Sequence, residues 1–219
     1  TKLIAKESVS LKQAFSDFSP HVALDLHEYR PFRRDFTLLG EYGVTNYYDV
    51  MFLYSGNLNV PSKIREFTQS AFVQPAVQVL NHFQYNSHDY FSTQKVHGEV
   101  QFKQGSNNSR SSATSFALSN CISSLIEIRG VGIGKTSFKR RVHSAYLVSM
   151  SYLTSAYENR HNLFKMLSFN EQDKLRDSVI VESVPKKIVQ DLKMIDVYTT
   201  HSIYPCDQTT NYLSATISL

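Results

Sequence analysis

The sequence has no tryptophan, only two cysteines, and no run of about 18 apolar residues, so it contains no transmembrane helix. Two cysteines allow at most one disulfide bond, and we expect Cys121 to be a buried free thiol because free cysteine is among the most buried residue types. The 23 Lys and Arg exceed the 19 Asp and Glu by only +4. Such a small excess gives no charge argument for nucleic-acid binding.

The composition is that of a globular chain. With 219 residues, 42% of them hydrophobic, the chain is long enough to bury roughly 70% of its unfolded surface around one core. Periodicity predicts strands over 21–27, 96–102 and 121–129, and helices over 61–80 and 135–156. This order predicts an α/β fold with a mixed, partly parallel sheet flanked by helices.

Two further segments have weaker patterns. The segment 28–59 lacks sustained periodicity and is rich in Tyr, Gly and Asn, which predicts a long irregular loop, with a short helix over 47–53 as the alternative. The tail has strand-like pieces at 178–184 and 188–199. We therefore place a β-rich extension at residues 178–219, after a main unit of residues 1–177.

The first strand ends in Asp25-Leu26-His27. Side chains two residues apart in a strand point to the same face, so Asp25 and His27 are expected side by side. A His oriented by a carboxylate can serve as a metal ligand or as a base. The alternative is a hydrogen-bonded histidine at a strand end with no chemical role.

The second candidate is Glu127, which interrupts the apolar run Leu125-Ile126-Glu127-Ile128. An unpaired carboxylate is costly to bury, so this side chain must either meet a cation or line a cavity with a raised pKa. Arg129 shares its face of the strand, and a structural ion pair between the two residues is the alternative to a catalytic role.

A glycine-rich turn and a basic helix start follow Glu127. The ending Gly134-Lys135-Thr136 resembles a phosphate-binding loop, but Arg129 stands where that motif requires its first glycine. The basic run Lys135, Lys139, Arg140 and Arg141 is either a solvated helix face or a nucleic-acid patch. The second interpretation predicts strongly salt-dependent binding.

Taken together, Asp25-Leu26-His27-Glu28-Tyr29, Leu125-Ile126-Glu127-Ile128-Arg129-Gly130 and Arg140-Arg141-Val142-His143 resemble the second half of a zinc carboxypeptidase of the carboxypeptidase A-like family. The similarity runs from about Phe15 to Tyr152. In that family a His and a Glu from an early H-x-x-E motif and a later strand-end His hold zinc, and a Glu on a further strand is the general base. The resemblance implies that His27 is the third zinc ligand and Glu127 the catalytic carboxylate.

The resemblance also implies roles for neighbouring residues. Asp25 would orient His27 from behind the metal. Arg110 would hold the terminal carboxylate of the substrate, because a planar guanidinium matches a carboxylate in two hydrogen bonds. Arg129 would assist at the oxyanion. The cofactor implied is one zinc ion, and the substrate is a peptide or small amide cut at its C-terminal residue.

The chain departs from the family pattern at one point. None of its eight His has Glu three residues later, so the first two zinc ligands are missing. The chain also begins without Met, and we expect the C-terminal part of a longer enzyme, inactive alone, whose partner is the upstream part of the same domain. The parent is expected to be periplasmic or secreted, as many relatives are. The alternative is a non-catalytic peptide- or protein-binding module with a decayed metal site.

Overall fold

The computed structural model describes residues 5–39, 43–105, 107–172, 180, 187–196 and 210–218, of which 35, 168–172, 187–196 and 210–218 are described by backbone alone. The helices are α1 Lys6–Phe18, α2 Ser62–Thr68, α3 Gln74–His82, α4 Ser112–Ala117, α5 Phe138–Glu158 and α6 Arg160–Gln172. The strands are β1 Val22–Tyr29, β2 Val44–Asn46, β3 Val50–Tyr54, β4 Ser87–Asp89, β5 Phe91–Val96, β6 Glu99–Gln104, β7 Ile122–Arg129, β8 Lys187–Asp196 and β9 Thr210–Ser218.

The site is built on a four-stranded sheet with the order β1-β7-β3-β4. Strand β1 runs parallel to β7, β7 is antiparallel to β3, and β3 is parallel to β4. The predicted α/β class with a mixed, partly parallel sheet is therefore confirmed. The two strands that carry the candidate residues, β1 and β7, are neighbours over their whole length.

One face of this sheet packs against helices. Alternate residues of the central strands, among them Val50, Phe52 and Ile126, are buried against side chains of α2, α3 and α5 such as Ile64 and Val148. Burial of these apolar side chains is the main stabilising contribution to the fold. The opposite face carries the candidate residues beside further buried apolar side chains.

The helix predicted from Pro61 extends to His82. It contains a π-helical turn over Gln69–Val73, directly before Pro75 near the start of α3. Proline lacks the N–H that a regular α-helix needs, and wider turns of this kind often occur where the ladder is interrupted. Within the described ranges no helix, not even α5 with its 21 residues, is long and apolar enough to cross a membrane.

A second sheet has five strands in the order β2-β8-β9-β6-β5. Its strands β8 and β9 come from the predicted extension, and they pair with β2 and β6 of the main unit. The strand predicted over 188–199 corresponds to β8, whereas the piece predicted over 178–184 lies outside the described residues apart from Ile180. The boundary at 177 stays a prediction.

Two sequence predictions are wrong. The segment 28–59 is neither a long loop nor a helix over 47–53, since it contains β2, a short 3-10 helix and the fully paired central strand β3. Strand β3 is buried on both faces and so shows no alternation. The strand predicted over 96–102 is the hairpin β5–β6, turned by His97 and Gly98 with φ of +50° and +88°, which are the positive values that a tight two-residue hairpin requires.

Candidate active site

His27 and Glu127 lie side by side at the carboxyl ends of parallel strands. They are register partners between β1 and β7, and Met51 of β3 is the partner of Glu127 on its other side. All three side chains point away from the helix-covered face, because Ile126 and Phe52, one residue removed, belong to the helix-side core. The carboxyl ends of parallel strands are where α/β proteins bind their ligands.

His27 is part of a short polar chain. Its Nε2 lies 3.0 Å from Asp25 Oδ2, and Ser112 Oγ at the start of α4 donates to the same oxygen at 2.5 Å. The pairing of Asp25 with His27 agrees with their expected common face. Ser112 is the first residue of α4, so its bond to Asp25 lets α4 fix the orientation of the carboxylate.

Glu127 is the unusual group of the site. Its Oε2 is buried and has no hydrogen-bond partner among the described residues. Burial raises the pKa of Glu127, His27 opposes that shift, and Asp25 adds to it. An unpaired, partly buried carboxylate with a raised pKa is typical of a group that acts on a ligand rather than one that holds the fold.

A pocket of about 270 Å³ opens beside Glu127. Its apolar part is formed by Phe36, Met51 and Phe91, and its polar part by Tyr29, Arg30, Arg33, Asn46, Tyr90 and Glu127. Burial raises the pKa of Tyr90, Glu127 raises it further, and Arg33 lowers it. The Tyr90 hydroxyl is therefore within electrostatic reach of both the acid and a guanidinium.

The turn after β1 carries the arginines of this pocket. The carbonyl oxygen of Pro31 accepts hydrogen bonds from Asn46 N at 2.9 Å and Thr45 Oγ1 at 3.1 Å, which fix the turn on β2. The Arg33 guanidinium lies over the Phe36 ring, 5.7 Å from its centroid. The turn is thus fixed on β2, Phe36 places the Arg33 guanidinium, and both arginines line the pocket.

The structure separates Arg129 from Glu127. The Arg129 guanidinium donates to the carbonyl oxygen of Asn46 and, at 3.5 Å, to Thr45 Oγ1, so it binds the backbone of β2. No ion pair between Glu127 and Arg129 is formed in the part of the chain that the structure describes. The alternative in which Glu127 only forms a structural pair with Arg129 is therefore not supported. The oxyanion role predicted for Arg129 is not tested.

Arg110 lies in an exposed loop. The backbone N–H of Arg110 donates to Asn108 Oδ1 at 3.0 Å, and Arg110 is exposed. Ser112, two residues later, contacts Asp25, so the loop lies next to the site although Arg110 does not line the pocket beside Glu127. Its predicted role toward a substrate carboxylate stays a prediction.

Two arginines of the basic run, Arg140 and Arg141 at the start of α5, form ion pairs within the chain. Arg140 makes two bonds to the buried Asp49, at 2.5 and 2.6 Å. Arg141 pairs with Glu28, with an Nε–Oε1 distance of 2.9 Å. Both pairs join α5 to the strand ends of the four-stranded sheet, which is a structural task.

The described residues do not form a complete zinc site. Among them no group of three or more His, Cys, Asp or Glu is placed to hold a metal ion. His27 supplies one nitrogen, and the unpaired Glu127 oxygen next to it fits an acceptor for a water or a cation. Zinc needs three protein ligands at a catalytic site, so a zinc ion at His27 requires ligands from outside these residues.

Four residues around the site were not predicted from the sequence, namely Ser112, Arg30, Arg33 and Tyr90. The three arginines 30, 33 and 34 directly follow the strand that delivers His27, and their position after a strand end was the signal that could have revealed the pocket. Ser112 and Tyr90 gave no such signal, because their places depend on how α4 and β5 pack.

Comparison with known proteins agrees with the general class. Carboxypeptidase 2 of Trichophyton rubrum is 24% identical over 172 residues, which cover 76% of this chain and 30% of the relative. A probable carboxypeptidase 2 of Arthroderma benhamiae is 24% identical over 167 residues, with 76% and 31% covered. The chain spans about 30% of the length of these relatives. No protein-family model and no solved structure matches the chain. The chain is thus similar to proteins named carboxypeptidase.

Proposed function

We propose that the chain is part of a carboxypeptidase-like hydrolase that cleaves the last peptide bond of its substrate. The observation that carries the proposal is Glu127, a partly buried carboxylate with one buried, unpaired oxygen, in register with His27 at two parallel strand ends. Its similarity to proteins named carboxypeptidase 2 supports the same class.

Glu127 would be the general base. Its carboxylate takes a proton from a water molecule as the water oxygen bonds to the peptide carbonyl carbon. The proton then passes to the amide nitrogen as the C–N bond breaks, which leaves an amine and a carboxylate. The raised pKa of Glu127 makes its carboxylate a stronger base for the first transfer. Arg110 would hold the terminal carboxylate, and Arg129 would act at the oxyanion.

His27 would be one zinc ligand, oriented by Asp25. When bound, zinc is a Lewis acid that lowers the pKa of a coordinated water toward 7. Because the described residues lack a full ligand set, we propose that the remaining ligands come from outside them.

The test compares this chain with the complete product of its reading frame. We expect about one zinc per molecule in the complete protein and none in this chain, by elemental analysis after purification without chelator. Glu127→Gln in the complete protein should keep zinc and lose hydrolysis by about 10²- to 10⁴-fold. Glu99→Gln, the same change at an exposed position of β6, is the matched control and should keep full turnover. Full turnover by the Glu127 variant would remove that residue from its role.

A second candidate function is a non-catalytic peptide-binding module. The contact between His27 Nε2 and Asp25 favours it, as does the lack of a three-ligand group among the described residues. It predicts that the complete protein carries no stoichiometric zinc and still binds peptides, and that Glu127→Gln leaves that binding intact.

A further inference from the structure

The pocket beside Glu127 is smaller than a typical pocket for a drug-sized ligand, which spans about 300–1,000 Å³. At about 270 Å³, it fits one amino-acid side chain or one terminal residue. Its apolar part would contact the methylenes of such a group. Its polar part decides which head group it accepts.

Among the described residues that line the pocket, cationic groups outnumber anionic ones. Arg30 and Arg33 line it together with one carboxyl, that of Glu127. Arg30 is exposed, Arg33 is half-buried, and the Glu127 oxygen is fully buried, so the cations lie nearer the solvent than the acid. An entering anion meets the guanidiniums first.

Backbone hydrogen bonds fix the turn that carries Arg30 and Arg33, and a ring contact places the Arg33 guanidinium. The backbone between them is bonded to β2 through Pro31, and Arg33 is packed on Phe36. A preorganised guanidinium loses little freedom when a ligand binds, and its planar donor fork matches a carboxylate. Tyr90 also lines the pocket.

We propose that this pocket binds the carboxylate of an acidic amino-acid residue through Arg30 and Arg33. The inference rests on the proposed function only for its consequence, since in a carboxypeptidase the pocket would select substrates with an acidic residue at the cleaved end. The binding itself requires neither zinc nor turnover. The carboxylate has two sources, the side chain or the main-chain terminus, and the test separates them.

The experiment titrates the ¹⁵N-labelled chain at low salt with four N-acetyl ligands. These are glutamate with both carboxylates, its α-amide with the side-chain carboxylate alone, glutamine with the main-chain carboxylate alone, and glutamine α-amide with neither. We expect shifts of the backbone amides of residues 29–36 and 127 with the carboxylate ligands and none with the last. Binding by the α-amide of glutamate assigns the side chain, and binding by glutamine alone assigns the terminus.

Three arginine variants complete the test. Arg33→Gln should raise the Kd by about tenfold, as for a lost bond to a charged group, and Arg30→Gln by about threefold because Arg30 is solvent-exposed. Arg34→Gln removes the same charge from an exposed neighbour that does not line the pocket and should change the Kd less than twofold. Circular dichroism checks that each variant is folded.

If all three variants weaken ligand binding equally, the effect is one of general charge and the inference is overturned. It is also overturned if the amide shifts lie elsewhere in the chain, or if the ligand without a carboxylate causes equal shifts. Ligand binding by this chain together with no hydrolysis by the complete protein would refute the proposed function and leave the pocket assignment standing. Hydrolysis by the complete protein without ligand binding by this chain would refute the pocket assignment and leave the proposed function standing.

Discussion

Ile126 and Glu127 are neighbours on β7 that face opposite sides of the four-stranded sheet. Ile126 is fully buried among apolar side chains that α2, α3 and α5 cover, whereas Glu127 faces a pocket and keeps an unpaired oxygen. Of these two neighbours, Ile126 stabilises the fold and Glu127 carries the candidate chemistry. The same division applies to β1, where Leu24 packs against the helix-side core and Asp25 contacts His27.

The largest effect expected from this division is on the helix-covered face. Ile126→Ala should lower the free energy of unfolding by about 3 kcal/mol, because it removes a fully buried side chain from a packed core and leaves a cavity. Chemical denaturation of this variant and of Glu127→Gln gives the comparison. Equal losses at the two positions would contradict the assignment of stability to one face.

A second effect concerns the strand ends, where two ion pairs hold α5. Asp49→Asn should cost about 2 kcal/mol, because Asp49 is buried and its carboxylate accepts from Arg140 and from Asn86 N. Arg140 is 41% exposed, which keeps the loss below that of a fully buried pair. Glu28→Gln is the control and should cost under about 1 kcal/mol, since Glu28 is exposed. A reversed order of the two losses would place the main anchor at Glu28.

The positions of His27 and Glu127 at strand ends could be predicted from the sequence, whereas strands β2 and β3 could not. The apolar run ending at His27 and the acid within the run around Glu127 each define a strand end locally, and parallel pairing then brings the two residues together. Strands β2 and β3 lie in a segment whose Tyr, Gly and Asn content obscures them, and β3 shows no alternation because it is buried on both faces. The pocket was missed for another reason, because its arginines reach Glu127 only through the turn that Pro31 fixes on β2.

A third effect tests the contacts among Ser112, Asp25 and His27 on the face that carries the candidate site. Ser112→Ala should cost about 1 kcal/mol by removing the donor to Asp25 Oδ2. The freed Asp25 oxygen would then interact with His27 alone, so the His27 ring resonances should shift in NMR spectra. Ser119→Ala removes an exposed serine whose hydroxyl bonds only to a carbonyl oxygen, at 3.3 Å, and should leave both readouts unchanged. An unmoved His27 in Ser112→Ala would show that α4 does not orient the Asp25–His27 pair.

The smallest effect is the pH dependence of stability at Glu127. Because folding raises the pKa of Glu127, mainly through burial, the fold favours the protonated acid. The stability that this preference contributes is fully present below the ordinary pKa of glutamate and is lost as the pH rises through the raised value. Glu127→Gln cannot ionise and does not show this loss. Its stability should therefore equal that of the unmodified chain in acid and exceed it slightly at neutral pH, by under about 1 kcal/mol because the carboxyl is only partly buried.

Urea denaturation of both proteins from pH 4 to pH 8 measures this difference in stability. The contributions of the other titrating groups cancel between the two proteins, except for those that face Glu127, namely His27 and Asp25. The buried acid Asp89, whose pKa is also raised by burial, contributes equally to both curves. A variant less stable than the unmodified chain at neutral pH would mean that ionised Glu127 has a stabilising cation near it. In that case Glu127 would contribute to the stability of the fold, as Ile126 does on the helix-covered face. Its carboxylate would then have a partner and would no longer support a catalytic role.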